Sequence, residues 1–313
     1  MCATAACDHV IQRRNERRSA SVAHTRQIEK QEKDMTGIRT SFAALCLAAS
    51  LIQPASAAEI TVTTHSASAA GFMVNSHLIA GERDAILVDA QFIRSEAAKA
   101  IQMVRESGKN LKYILVTHGH PDHFFWLEDF QNAFPDARIV AAANVIPDIE
   151  AYGPKAIAMW KPVFKEEIPD SFVTPKPVNS TSLFLDGQEI ELVSLKDGES
   201  SHATAVWIPG SRALIAGDLA YNRVHLWLRE NRPENWLAIL DRLENLKPVT
   251  VYPGHGPAGG PEVLAADREY IQTFMAATSA PATREEAMAR LISAYPDYAL
   301  PMIVEYSVAG RIK

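Results

Sequence analysis

Between positions 117 and 123 the chain reads Thr-His-Gly-His-Pro-Asp-His, so that His118, His120, Asp122 and His123 fall within six residues. Imidazole and carboxylate are the donors that Zn²⁺ and related divalent ions accept. A helix spreads neighbouring side chains around its axis, whereas a loop leaving a strand can turn all four into one cleft. Two ions held close together need about seven such groups. Three further candidates stand beside glycines or at expected strand ends later in the chain: His202 in Gly-Glu-Ser-Ser-His, Asp218 in Ala-Gly-Asp and His255 in Pro-Gly-His-Gly. Such a set converging without a cation would be desolvated to no benefit. Isolated histidines such as His65, His77 and His225 are expected as surface or core residues instead.

The elements that must position these groups follow from period-2 and helical patterns. Strands are expected at Ile60–Thr64, Phe72–Ile79 and Ala85–Val88, the last ending at Asp89, followed by a helix over Ser95–Ser107 closed by Gly108. Tyr113–Val116 reads as a buried strand running into the histidine cluster, and Phe124–Phe134 has helical spacing. A strand at Arg138–Ala141 and a helix from about Asn144 come next, and residues 153–178, rich in proline and aromatics, read as a lid or insertion. The second half repeats the layout, with strands at Ser182–Leu185, Glu189–Ser194, Ala203–Ile208 and Ala213–Ala216, then helices at Glu234–Asn245, Glu262–Ala277 and Arg284–Ala294. Strands then helices, twice over, point to two sheets face to face with helices outside.

The first 57 residues have another character. Residues 1–34 are polar and expected to be a solvated tail or an upstream mis-start. From Met35, a basic Arg39, an apolar run Phe42–Ile52 and the small residues Ala55-Ser56-Ala57 have the form of a secretory leader spanning residues 35–57. The apolar run is far shorter than the ~20 residues of a spanning helix. The expected mature unit, residues 58–313, is therefore exported, to the periplasm or outside, with no stable membrane insertion after cleavage. All three cysteines (Cys2, Cys7, Cys46) precede it, which excludes disulfides and thiolate ligands from that unit. Eight of the 31 Lys/Arg but only five of the 37 Asp/Glu lie in residues 1–57, leaving the remainder at net −9. Such an acidic unit is a poor partner for nucleic acid, and a small-molecule substrate is expected.

The ordered set Thr-His-Gly-His-Pro-Asp-His, His202, Gly-Asp218 and Pro-Gly-His255-Gly resembles the metallo-β-lactamase superfamily, in particular the dinuclear group that includes acyl-homoserine lactonases and glyoxalase II-like hydrolases. The resemblance implies an α/β fold of four layers, an αββα sandwich with the site at one edge. It implies two divalent metal ions, with zinc the expected ion, the first on His118, His120 and His202. The second would rest on Asp122, His123 and His255, with Asp218 bridging and Asp89 orienting a ligand. Phe124-Phe125-Trp126 stands where relatives often have Gly-Gly, and Ser-Ser-His-Ala-Thr replaces a Gly/Thr-rich third-histidine motif.

By the same resemblance, hydroxide held by two divalent ions would attack a small ester, lactone or related carbonyl compound. Asp122 would orient it and take up its proton, and Tyr221, three residues after Asp218, would donate to the developing oxyanion. The alternatives are a periplasmic β-lactamase and a non-catalytic periplasmic metal- or ligand-binding protein. The sequence leaves the natural substrate, the ion and the oligomeric state open.

Overall fold

The computed structural model describes residues 59–279 and 282–313. The tail, leader and cysteines read above lie outside the described residues. Among those described, no helix is long and apolar enough to cross a membrane.

Six strands form the first sheet in chain order: β1 (Thr61–Ser66), β2 (Asn75–Ala80), β3 (Asp84–Val88), β4 (Asn110–Val116), β5 (Arg138–Ala142) and β6 (Lys176–Val178). The pairs β1–β2 and β2–β3 are antiparallel and the rest parallel. The parallel connections run through α1 (Arg94–Glu106), α2 (Leu127–Ala133) and α3 (Ile146–Phe164). The second sheet has the order β11-β10-β9-β8-β7, from β7 (Ser182–Leu185), β8 (Gln188–Lys196), β9 (His202–Ile208), β10 (Ala213–Tyr221) and β11 (Thr250–His255). Its helices are α4 (Pro233–Glu244), α5 (Glu262–Ala277), α6 (Arg284–Ala294) and α7 (Met302–Arg311).

Side-chain alternation along the strands builds the layers. In β3, Ala85 and Leu87 pack toward α1 and α2, while Ile86 and Val88 face the second sheet. In β9, Ala205 and Trp207 pack toward α4 and α5, and Val206 and Ile208 face back toward the first sheet. The inter-sheet layer is almost purely aliphatic, with Ile79, Leu115, Ile190 and Ile215 among its buried members. This is the expected αββα sandwich.

One segment differs from its sequence reading. Residues 153–164, expected within a lid or insertion, continue α3 through Pro154 and Pro162. Burial of Ile149, Gly153 and Ala156 on one face compensates the backbone hydrogen bonds that the two prolines remove. Beyond it the chain joins the first sheet as β6.

The sheets are also stitched at one edge by polar contacts. Asn75 Nδ2 donates to the carbonyls of Pro253 (2.8 Å) and Gly256 (2.7 Å), and the Gly256 amide donates to the Met73 carbonyl (3.3 Å). His77, buried as expected of a core residue, completes the seam by donating from Nε2 to the Pro253 carbonyl (2.9 Å) while Nδ1 accepts from Thr64 Oγ1 (2.9 Å). Burial pushes its pKa down from 6.5 to about 4. Between those values the unfolded chain binds a proton that the folded one refuses, so stability is intact above pH 6.5 and falls as pH drops toward 4. Between pH 7 and 5 the wild type is therefore expected to lose about 2 kcal/mol more than a His77→Gln variant. Urea unfolding at both pH values measures this, and parallel losses in the two proteins would refute it.

Candidate metal centre

The strand β4 delivers its C-terminal end directly into the histidine cluster. Asp89, just after β3, sits at φ 66°, a left-handed conformation that aspartate tolerates. There its carboxylate accepts from the Thr117 amide (2.8 Å), Thr117 Oγ1 (2.9 Å) and His123 Nδ1 (2.8 Å). The loop after β4 is thereby tied to the end of the neighbouring strand. The structure brings six of the seven residues expected as ligands together. His118, His120 and Asp218, and equally Asp122, His123, Asp218 and His255, offer donor atoms all within 4.8 Å of one another.

The seventh is corrected. His202 is not in either group: it opens β9 opposite Lys196, and its Nδ1 is turned to Asp148 Oδ2 (2.9 Å) near the start of α3. Its side chain is 37% exposed. Glu199 takes the place expected for it, with Oε1 2.9 Å from His120 Nδ1 and Oε2 3.6 Å from His118 Nε2, and its side chain 1% exposed. The reason is the β8–β9 hairpin. The strands remain paired out to Lys196 and His202, so the intervening loop, closed by the Asp197 amide on the Ser201 carbonyl (2.9 Å), carries Glu199 at its tip. A histidine at the strand edge attracts attention in the sequence; a glutamate three residues earlier does not, although Gly198 beside it is a local sign of a tight approach.

Each imidazole in the two groups has one nitrogen pinned. Thr117 Oγ1 donates to Asp89, so it must accept from His118 Nδ1–H (3.0 Å). His123 Nδ1 donates to Asp89, His255 Nδ1 donates to the Phe72 carbonyl (2.7 Å), and His120 Nε2 donates to Glu230 Oε1 (3.2 Å). The remaining lone pairs, on Nε2 of His118, His123 and His255 and on Nδ1 of His120, all face the carboxylates. Orienting partners of this kind are what metal-ligating histidines ordinarily possess. Glu230 was not anticipated from the sequence.

The atoms nearest the centre are close without being hydrogen-bonded. His118 Nε2, His123 Nε2, both Glu199 oxygens and Asp218 Oδ1 are buried and have no hydrogen-bond partner among the described residues, yet His123 Nε2 lies 3.2 Å from Asp218 Oδ1. Lone pairs aimed at common points, at separations too short for neglect, fit a divalent cation in each group. The protonation pattern agrees. Burial works against charge on every histidine, but Asp218 and Asp122 outweigh it at His255, raising it to about 10, and Asp218, Asp89 and Asp122 do the same at His123. Burial drives Glu199 up to about 8 against the pull of His120. The carboxylates thus favour positive charge at the points where cations would go, and cation binding would compete with protons there.

Close approach of β11 to β10 depends on Gly254, where a Cβ would lie within 2.8 Å of both Asp218 Oδ1 and the Asp218 amide. Tyr221 is buried, stacks on His255 with ring centroids 5.0 Å apart, and donates from Oη to Asp218 Oδ2 (2.7 Å). Its phenol is held protonated by burial and by that carboxylate.

Residues 69–255 match the sequence pattern of the Metallo-beta-lactamase superfamily. The chain belongs to that superfamily. Its fold implies divalent-metal binding, and the two donor groups are where such ions fit. Among superfamily relatives, a hydroxyacylglutathione hydrolase of Prochlorococcus marinus is 25% identical over 181 residues, 56% of this chain and 61% of that protein. A beta-lactamase-like protein 2 homolog of Caenorhabditis elegans is 22% identical over 203 residues, 64% of this chain and 61% of that protein. The chain thus spans about three fifths of the length of each. Two solved structures share the fold: a metallo-beta-lactamase family protein of Thermus thermophilus (TM-score 0.60, 20% identity, 80% of this chain and 91% of that one) and a beta-lactamase domain protein of Burkholderia ambifaria (TM-score 0.59, 15% identity, 83% and 90%).

Proposed function

We propose that this superfamily member is an exported hydrolase that uses two divalent ions, zinc in the first instance, to cleave small uncharged esters, lactones or related carbonyl compounds. The observation that carries the reading is that the two donor groups share Asp218 and open onto an apolar cavity of about 220 Å³. Glu199, Asp122 and Asp218 bring three carboxylates into a buried space, a charge that two dications oppose. Bound there, the ions would supply Lewis acidity toward a substrate oxygen and make water acidic enough to ionise near neutral pH.

The protein's own groups divide the remaining work. Asp122 lines the cavity beside His255 and is held ionised by His123 and His255 despite its burial, so it is the carboxylate placed to accept a proton from attacking water. Tyr221 lines the same cavity, but its hydroxyl hydrogen is committed to Asp218, which makes it first a positioning residue for that carboxylate.

The walls argue for an uncharged substrate. Phe72, Phe92, Trp160, Phe164 and Trp227 line the cavity, and among the described residues neither Lys nor Arg does. The carboxylates of a β-lactam antibiotic or a glutathione thioester would meet neither lysine nor arginine along that wall, which favours the ester and lactone reading over those two. Metal analysis paired with a panel of lactones, esters, thioesters, β-lactams and phosphoesters, each with and without chelator, tests the proposal. Chelator-sensitive turnover of neutral acyl substrates is expected with about two ions per chain. Turnover surviving complete metal removal would refute the mechanism, and two bound ions without turnover of any substrate would favour a binding protein.

A further inference from the structure

Among the polar groups of the cavity wall that the reaction described above does not use is His225. His225 follows β10 and lines the cavity, its backbone amide fixed to the Ala299 carbonyl (3.0 Å). Its ring is buried, with Nδ1 2.8 Å from Tyr270 Oη on α5. Tyr270 Oη carries one hydrogen, and Nδ1 is the ring nitrogen within its reach. When Tyr270 donates to Nδ1, a neutral His225 carries its proton on Nε2, and Nε2 has no hydrogen-bond partner among the described residues. Tyr298 packs against the ring (centroids 5.8 Å) and brings no carboxylate to it. Burial accordingly pushes the His225 pKa down to about 4.

We propose that His225, locked as the Nε2–H tautomer by Tyr270, is a specificity-determining hydrogen-bond donor that selects uncharged substrates carrying a second acceptor oxygen, carbonyl or ether, on their apolar part. This rests on reading the cavity as the substrate site. A donor on a largely apolar wall discriminates strongly, because a ligand lacking the acceptor leaves it desolvated and unpaired. The exposed side chains of Val163 on α3 and of Met302 and Tyr306 on α7 flank the same cavity, so an apolar chain can extend outward past the donor.

The test uses two ligands that the protein does not cleave, a methyl alkyl ketone and an alkyl chloride of equal length, with the metal-loaded protein. The ketone is expected to bind the wild type more tightly. His225→Phe, which preserves ring volume, should erase roughly 5-fold of ketone affinity and leave the chloride unchanged. Heteronuclear NMR of nitrogen-labelled wild type should show His225 protonated at Nε2 and bare at Nδ1, with Nε2–H shifting on ketone addition alone. Tyr270→Phe, which does not alter the cavity lining, should mix the tautomers and weaken the ketone preference. A wild-type Nδ1–H tautomer, or a ketone preference that persists in His225→Phe, overturns the proposal. The expected ketone result in a protein that turns over no acyl substrate supports the donor while overturning the hydrolase reading.

Discussion

Glu199→Ala should strip the first donor group of its ion, whereas His202→Ala should leave metal content and turnover close to wild type. Glu199 is the buried carboxylate between His118 and His120, and its removal leaves only two histidines and the shared Asp218. Loss of a direct ligand should exceed the roughly 10–100-fold that an orienting partner contributes to metal affinity, and activity should fall at least as far. His202, by contrast, loses a partly exposed pair with Asp148, a contact worth about 0–1 kcal/mol. Metal content by mass spectrometry, with circular dichroism to confirm folding, separates the two variants. Loss of an ion from His202→Ala with none from Glu199→Ala would reverse the roles of the two residues.

Asp218→Ala is expected to have the largest single effect, lowering occupancy of both groups together. One carboxylate places Oδ2 3.2 Å from His255 Nε2 and Oδ1 3.2 Å from His123 Nε2, and also reaches His118. Without ions the change has a second cost. Asp218 pulls the pKa of both His123 and His255 upward against their burial, and removing one partner of a buried charge set costs about 3–5 kcal/mol. The variant should therefore bind little metal and melt earlier than wild-type apoprotein. Tyr221→Phe serves as its graded control, removing the 2.7 Å donor while keeping the carboxylate, and should lose roughly 10–100-fold in metal affinity. Two tightly bound ions in Asp218→Ala would remove the shared carboxylate from the centre.

The parts of this architecture that were legible in the sequence are those set by local periodicity. Leu87 and Val88 face opposite layers because strand side chains alternate, and the continuous apolar run Ala85–Val88 marks a strand buried on both faces. The cluster at 118–123 was legible because four donors stand together. Glu199 was not, since a glutamate in a polar loop normally marks solvent, and only the hairpin register shows that this one is turned inward. Glu230 was hidden for the same reason: it serves His120 from 110 residues away. The helix continuing through Pro154 defied its local signal because tertiary burial outweighs the backbone penalty of proline. The C-terminal helix α7, which supplies cavity wall, has too weak a pattern at Met302–Arg311 to have been anticipated.

The edge seam has an implication for how the protein could be divided. His255 depends on the Phe72 carbonyl to orient its ring, and Asn75 reaches across 178 residues to the Pro253 carbonyl. A fragment ending between the two sheets would keep the His118–His123 run yet lack both Asp218 and His255, while its complement would have the reverse defect. Neither piece holds a whole centre, so ion capture would report reassembly of the two fragments, and a split between β6 and β7 would turn the buried site into a sensor of their encounter.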